Sequence, residues 1–275
     1  MQSRLRDHLI GLADLNMGWI PLYVATLLGQ WFCAAFRYFA ALLAFWLLGT
    51  IFGWDLPAGT LALIVALAPL AISVATLVLP LGSWWFQQQE GGRGPSERER
   101  AVFEMAFEQL RGADPNLRGP RRWFVLDRPE PNACAYADTL MVTRGLLDSP
   151  AFPAVLAHEL GHLNSSDARV SAALYRITTW PREPTPKPFK LLAFLISGRI
   201  GMWPLRTPWA IYWRRREQVA DSYAAKLGQG PALAAYLDSY ALAGDLPTPF
   251  KDFGGSSHPW TEHRIDRLQR LGANS

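Results

Sequence analysis

Apolar positions are unevenly spread along this chain. Residues 19–54 and 61–86 are nearly unbroken apolar runs, and residues 87–275 alternate at globular periods. The second run carries no charge, and the first is interrupted by Gln30 and Arg37. A membrane span needs about 20 apolar residues. The pattern therefore predicts two transmembrane helices, about 31–54 and 61–86, with Arg37 snorkelling to the interface. The turn between them, 55–59, lacks Lys and Arg, whereas Arg4 and Arg6, with Arg37 at the start of the first span, lie on the other side and Arg93, Arg98 and Arg100 come after the pair. The positive-inside rule then predicts a multi-pass protein of the cell (inner) membrane, with the N-terminus and the chain beyond the second span cytoplasmic. The lipid bilayer is the expected partner. Residues 1–14 read as an amphipathic helix at its surface. The competing reading is a buried helical hairpin of a soluble protein.

Beyond the runs the periods change. Residues 87–95 are a polar, Gly-rich linker, and Ser96 with Glu99 forms a capping box. The helix it opens runs to about residue 110, with Phe103, Ala106, Phe107 and Leu110 on one face. Residues 122–126, 133–137 and 140–143 read as strands, with a hairpin turn at 137–139. A helix begins near Pro153 and continues past Asn164; another covers 168–178. Four prolines between 181 and 188 break regular structure. Residues 191–213 are apolar but interrupted by Arg199, Pro204, Arg206 and Pro208, which suits a re-entrant, interfacial or cleft-capping segment. Helices are predicted at 214–227, stopping at Gly228, at 231–242 and at 262–271. The expected fold is mainly α with a small antiparallel sheet (α+β). It divides into a membrane region, 1–90, and a globular domain, 91–275, with an insertion at about 181–213.

Composition narrows the function. Charged residues make up 18% and the net charge is +4, with basic and acidic side chains interspersed. No basic, aromatic-interleaved patch favours nucleic acid. Cys33 and Cys134 form neither a disulfide framework nor a CxxC pair.

The chemistry begins at His158-Glu159-Leu160-Gly161-His162, which holds two of the five histidines. On a helix this HExxH pattern sets two imidazoles one turn apart on one face. They can hold one zinc ion, with Glu159 placed to take a proton from a water that the metal acidifies. A third ligand is needed, and Glu217 in Arg216-Glu217-Gln218-Val219-Ala220-Asp221 is the candidate. Asp221, one turn on, can accept from a ligand histidine and fix its tautomer. A solvated helix face paired with Arg214, Arg215 and Arg216 is the plainer reading of the same residues.

These motifs, in this order, resemble the M48 zinc metallopeptidases, and among them the HtpX-like membrane members. Thr143-Arg144-Gly145-Leu146-Leu147 is similar to the family's lead-in to the HExxH helix. Asn132-Ala133 resembles the opening of its substrate-binding edge strand, and His258-Pro259 with Arg264 resembles its C-terminal motif. The resemblance covers about 96–271. It implies a gluzincin-type domain with one Zn2+ per chain on His158, His162 and Glu217. Glu159 would be the base and His258 the donor to the oxyanion. Arg264 would pair with Asp221 or Glu217, and Asn132, Ala133, Cys134 and Ala135 would hold polypeptide substrate as an added strand. The chain departs from the HtpX-like pattern in lacking two clear spans between the HExxH and the third ligand. The expected activity is a membrane-bound zinc endopeptidase (hydrolase) acting on membrane or misfolded proteins, in protein quality control. The alternatives are a non-catalytic zinc-binding membrane adaptor of the same fold and a helical membrane-interaction protein in which the HExxH is accidental.

Overall fold

The computed structural model describes residues 19–55, 57–78, 84, 87–88, 90–136, 138–164, 205–242 and 261–272. Within them the chain divides into two compact units.

The first unit holds helices α1 (Ile20–Phe52) and α2 (Ala58–Val78). Nearly all of the 19–54 run thus folds as one helix of 33 residues, about 50 Å long at 1.5 Å per residue. It ends at Gly53, whose φ of 66° is readily adopted only without a Cβ. Among the described residues α1 is the one helix long and apolar enough to cross a membrane. The two helices pack on each other, and their seam corrects one expectation. Arg37 does not snorkel. It is buried, and its Nε donates to the carbonyl of Ala66 on α2 at 3.3 Å. Thr26, Gln30 and Cys33 are buried with it, while Leu28, Trp31, Phe32, Phe39 and Trp46 lie exposed.

The second unit begins with α3 (Glu97–Ala113), opened by the predicted capping box: Ser96 Oγ accepts from Glu99 N–H and Glu99 accepts from Ser96 N–H. Strands β1 (Arg122–Leu126), β2 (Ala133–Tyr136) and β3 (Thr139–Thr143) come next, then a short α4 (Arg144–Leu147) and α5 (Phe152–Leu163). Helices α6 (Arg206–Lys226), α7 (Gly230–Leu242) and α8 (Thr261–Gly272) complete it, α6 belonging to this unit from Trp209 onward.

The sheet order is β1-β3-β2, with β2 antiparallel and β1 parallel to β3. It is therefore mixed, not purely antiparallel as expected. The physical reason lies in β3: Thr-Leu-Met-Val-Thr is buried at every position and takes the centre. The chain must then pass from β1 to the far edge before returning by hairpin. The linker is not loose either. Arg93 forms an antiparallel bridge with Val125, and its side chain bonds both Glu99 and Asp127.

Helix α6 begins eight residues before the predicted start, so residues 206–213 of the doubtful apolar segment are its first two turns. Pro208 is its third residue, where an N–H would have no intrahelical partner. The helix stops at Gly228, φ 74°, as the sequence indicates. The helix expected at 168–178, the remainder of the 181–213 insertion, the N-terminal helix and the 79–83 end of the second span lie outside the described residues. The core joins Phe103, Leu110, Val125, Leu140, Phe152, Leu156, Leu233 and Leu268. It fixes α5 against β2, α3 and α7.

Candidate metal centre

Helix α5 starts with proline in its first turn and buries nine of its twelve residues, His158 and Glu159 among them. Its period turns His158 and His162 to the same side. Their rings meet edge to face, with Nε2 atoms 3.2 Å apart. From α6, Glu217 brings Oε2 to 3.5 Å from His158 Nε2 and Oε1 to 3.3 Å from His162 Nε2. The three residues form a group able to hold a metal ion. Zinc bonds of about 2.0–2.2 Å in tetrahedral geometry leave neighbouring donors about 3.3–3.5 Å apart. The observed spacings fit that edge length, and the donors are the nitrogen and oxygen types zinc takes.

Asp221 and Arg264 support this cluster from behind. Asp221 Oδ1 lies 2.9 Å from His158 Nδ1, the nitrogen facing away from the donors. Arg264, from α8, donates to both oxygens of Asp221 at 2.9 and 2.7 Å and reaches Glu217 Oε2 at 3.1 Å. Both partners are buried. Burial pulls the His158 pKa down, but Asp221 and Glu217 outweigh it and push it up to about 10. Burial opposes ionisation of Asp221, yet His158 and Arg264 hold it below the usual carboxylate range. Glu159, Glu217 and Asp221 bring three carboxylates to the centre, which favours a bound positive charge.

The structure brings Glu159 to β2. Its Oε2 accepts from the backbone N–H of Ala135 at 2.7 Å. The antiparallel ladder begins with Thr143 N–H donating to Asn132 O, so the backbone groups of Ala133 and Ala135 face away from β3. Asn132 turns its side chain to its own neighbour, Oδ1 accepting from Ala133 N–H at 2.9 Å. The Cys134 thiol is pushed up by burial and by Glu159, which keeps it protonated. His258 lies outside the described residues.

Two features escape a motif reading. Gly161 lies against α6: a Cβ there would sit 2.8 Å from Ala220 Cα and 3.1 Å from Tyr223 Cβ. A glycine inside a helix costs about 1 kcal/mol relative to alanine, and that cost was its only signal. Arg216 donates to the carbonyl of His162 at 3.3 Å, a contact between segments 54 residues apart that no local pattern announces.

Comparison with known proteins bears on this geometry. The family model described as "Peptidase family M48" matches residues 96–271, more than half of the chain. Among solved structures, the crystal structure of S. mikatae Ste24p is similar at 17% identity and a TM-score of 0.44, covering 96% of this chain and 74% of that chain. No curated protein matches. The matched residues contain both helices that carry the candidate ligands and the edge strand beside them, and on that match the chain belongs to peptidase family M48.

Proposed function

We propose that the protein is a membrane-bound zinc endopeptidase that cleaves membrane or misfolded polypeptides. The observation that carries the reading is the convergence of His158, His162 and Glu217 at zinc-ligand spacing, with Glu159 beside them and bonded to the edge strand. One Zn2+ per chain, held by those three residues, would polarise the scissile carbonyl and make a water acidic near neutral pH. Glu159 takes the proton of the attacking water at its carboxylate and later delivers it to the leaving amine. Asp221 beside Nδ1 favours the His158 tautomer that keeps Nε2 free as a donor, and Arg264 holds Asp221 and Glu217 in place. The outer edge of β2 at Asn132, Ala133, Cys134 and Ala135 receives substrate as an added strand, which would take the place of Glu159 and the Asn132 side chain on the outward N–H groups of Ala135 and Ala133. His258 donates to the oxyanion, a role worth roughly 3 kcal/mol.

Embedding in lipid is supported by α1. Its buried seam carries the polar Thr26, Gln30 and Arg37 beside Leu22, Tyr23, Cys33 and Ala34, while its exposed face is rich in Leu, Phe and Trp. That is the reverse of a water-facing helix and suits a bilayer. We place α1 and α2 as the two spans of a membrane region ending near residue 90, with the catalytic domain, 91–275, and the N-terminus cytoplasmic. The intact, positioned Glu159 favours catalysis over a zinc-binding adaptor, which needs the ligands but not the base.

The test is cleavage of unfolded casein by the full chain in detergent with zinc, beside metal analysis. Wild type should cleave, Glu159→Gln should not, and both should carry one zinc. Equal cleavage by the two, or wild type without metal, would sink the reading.

A further inference from the structure

We propose that Arg216 is a positioning residue of the metal centre. It grips the backbone of one donor, His162, from the position beside another, Glu217. The inference rests on the zinc reading above.

Two helices supply the donors, and their relative setting must be held to a few tenths of an ångström, about ±0.2 Å for metal bonds. Arg216 Nη2 donates to the carbonyl of His162 at 3.3 Å. That carbonyl lies in the last turn of α5, where backbone oxygens lack intrahelical partners and carry partial negative charge. A guanidinium is favoured there. Its approach is also confined, because its carbon lies 5.3 Å over the Trp213 ring and 5.9 Å over the Tyr212 ring, both buried. A plane that stacks on rings while donating along its edge is a property of arginine that lysine lacks. The Gly161 contact limits how closely α5 and α6 approach, and Arg216 ties them one residue further along. Without that tie His162 could shift along the seam while its ring stayed on the same face.

The experiment titrates Zn2+ alone into metal-stripped full chain in detergent, against a chromophoric chelator. Arg216→Ala should bind zinc about 10–100-fold more weakly, the range for outer partners of metal ligands. The Co2+-loaded form should show a shifted visible absorption spectrum. Arg216→Lys should recover part of the affinity, and Arg215→Ala, an exposed neighbour, should match wild type. Wild-type affinity in Arg216→Ala overturns the proposal, as does an equal loss in Arg215→Ala, which would indicate bulk charge. If Arg216→Ala does not fold, Arg216→Lys decides: weaker zinc binding supports the proposal and wild-type binding overturns it. His162→Ala separates the two readings. If it binds zinc as wild type does, the zinc reading fails and this inference with it.

Discussion

The backbone N–H of Ala135 donates to Oε2 of Glu159 at 2.7 Å. A strand at the edge of the sheet thus holds the carboxylate proposed as the base. Ala135→Pro would remove this donor, and proline is tolerated where a strand's N–H faces outward. A hydrogen bond to a charged group contributes about 1.5–3 kcal/mol. The expected outcome is a kcat about 10–100-fold lower with zinc content unchanged, read by casein turnover and metal analysis.

Gly161→Ala sets two effects against each other. Alanine gains about 1 kcal/mol of helix propensity. The new Cβ, however, would sit 2.8 Å from backbone of α6, which cannot swing aside like a side-chain tip. Overpacking costs about 1–3 kcal/mol, so the steric term wins. A lower Tm together with weaker zinc binding is expected. A Tm above wild type would show that α6 yields without strain.

Asp221→Asn keeps the shape but removes the charge facing Arg264 and His158. Breaking a buried pair from one side costs about 3–5 kcal/mol. Thermal unfolding should register that loss. Chelator competition should register zinc affinity about 10–100-fold lower. The double variant Asp221→Asn, Arg264→Met should recover stability without recovering zinc affinity.

Arg93 gives a pH dependence. Its hydrogen bonds hold Glu99 at about 2 in the folded chain, against an ordinary 4.5. A lowered folded pKa adds stability that is fully present above 4.5 and fades as pH falls towards 2. The Tm gap between wild type and Arg93→Gln should therefore be widest above about pH 5 and shrink steadily below it. A gap independent of pH would mean that the Arg93 side chain acts through an uncharged contact, such as its bond to the Gly94 carbonyl, and not through its carboxylate partners.

Much of the site was legible because it is local. A period of 3.6 turns His158 and His162 to one side, and Glu217 and Asp221 to another, whatever surrounds them. The capping box at Ser96 and the stop at Gly228 are likewise fixed by neighbours in sequence. Register between distant segments was not legible. The hairpin of β2 and β3 could be read, but the parallel pairing of β1 with β3 depends on which strand takes the buried centre.

The sequence by itself determined the candidate ligand types, their spacing along each helix and the long apolar run of α1. Tertiary structure decided that Glu159 bonds Ala135, that Arg264 spans Asp221 and Glu217, and that Arg37 turns inward to Ala66. The physical reason is the range of the interactions. Helix period and caps act over four residues, whereas these contacts join segments 24 to 47 residues apart (135 to 159, 217 to 264) and exist only once packing brings the segments together.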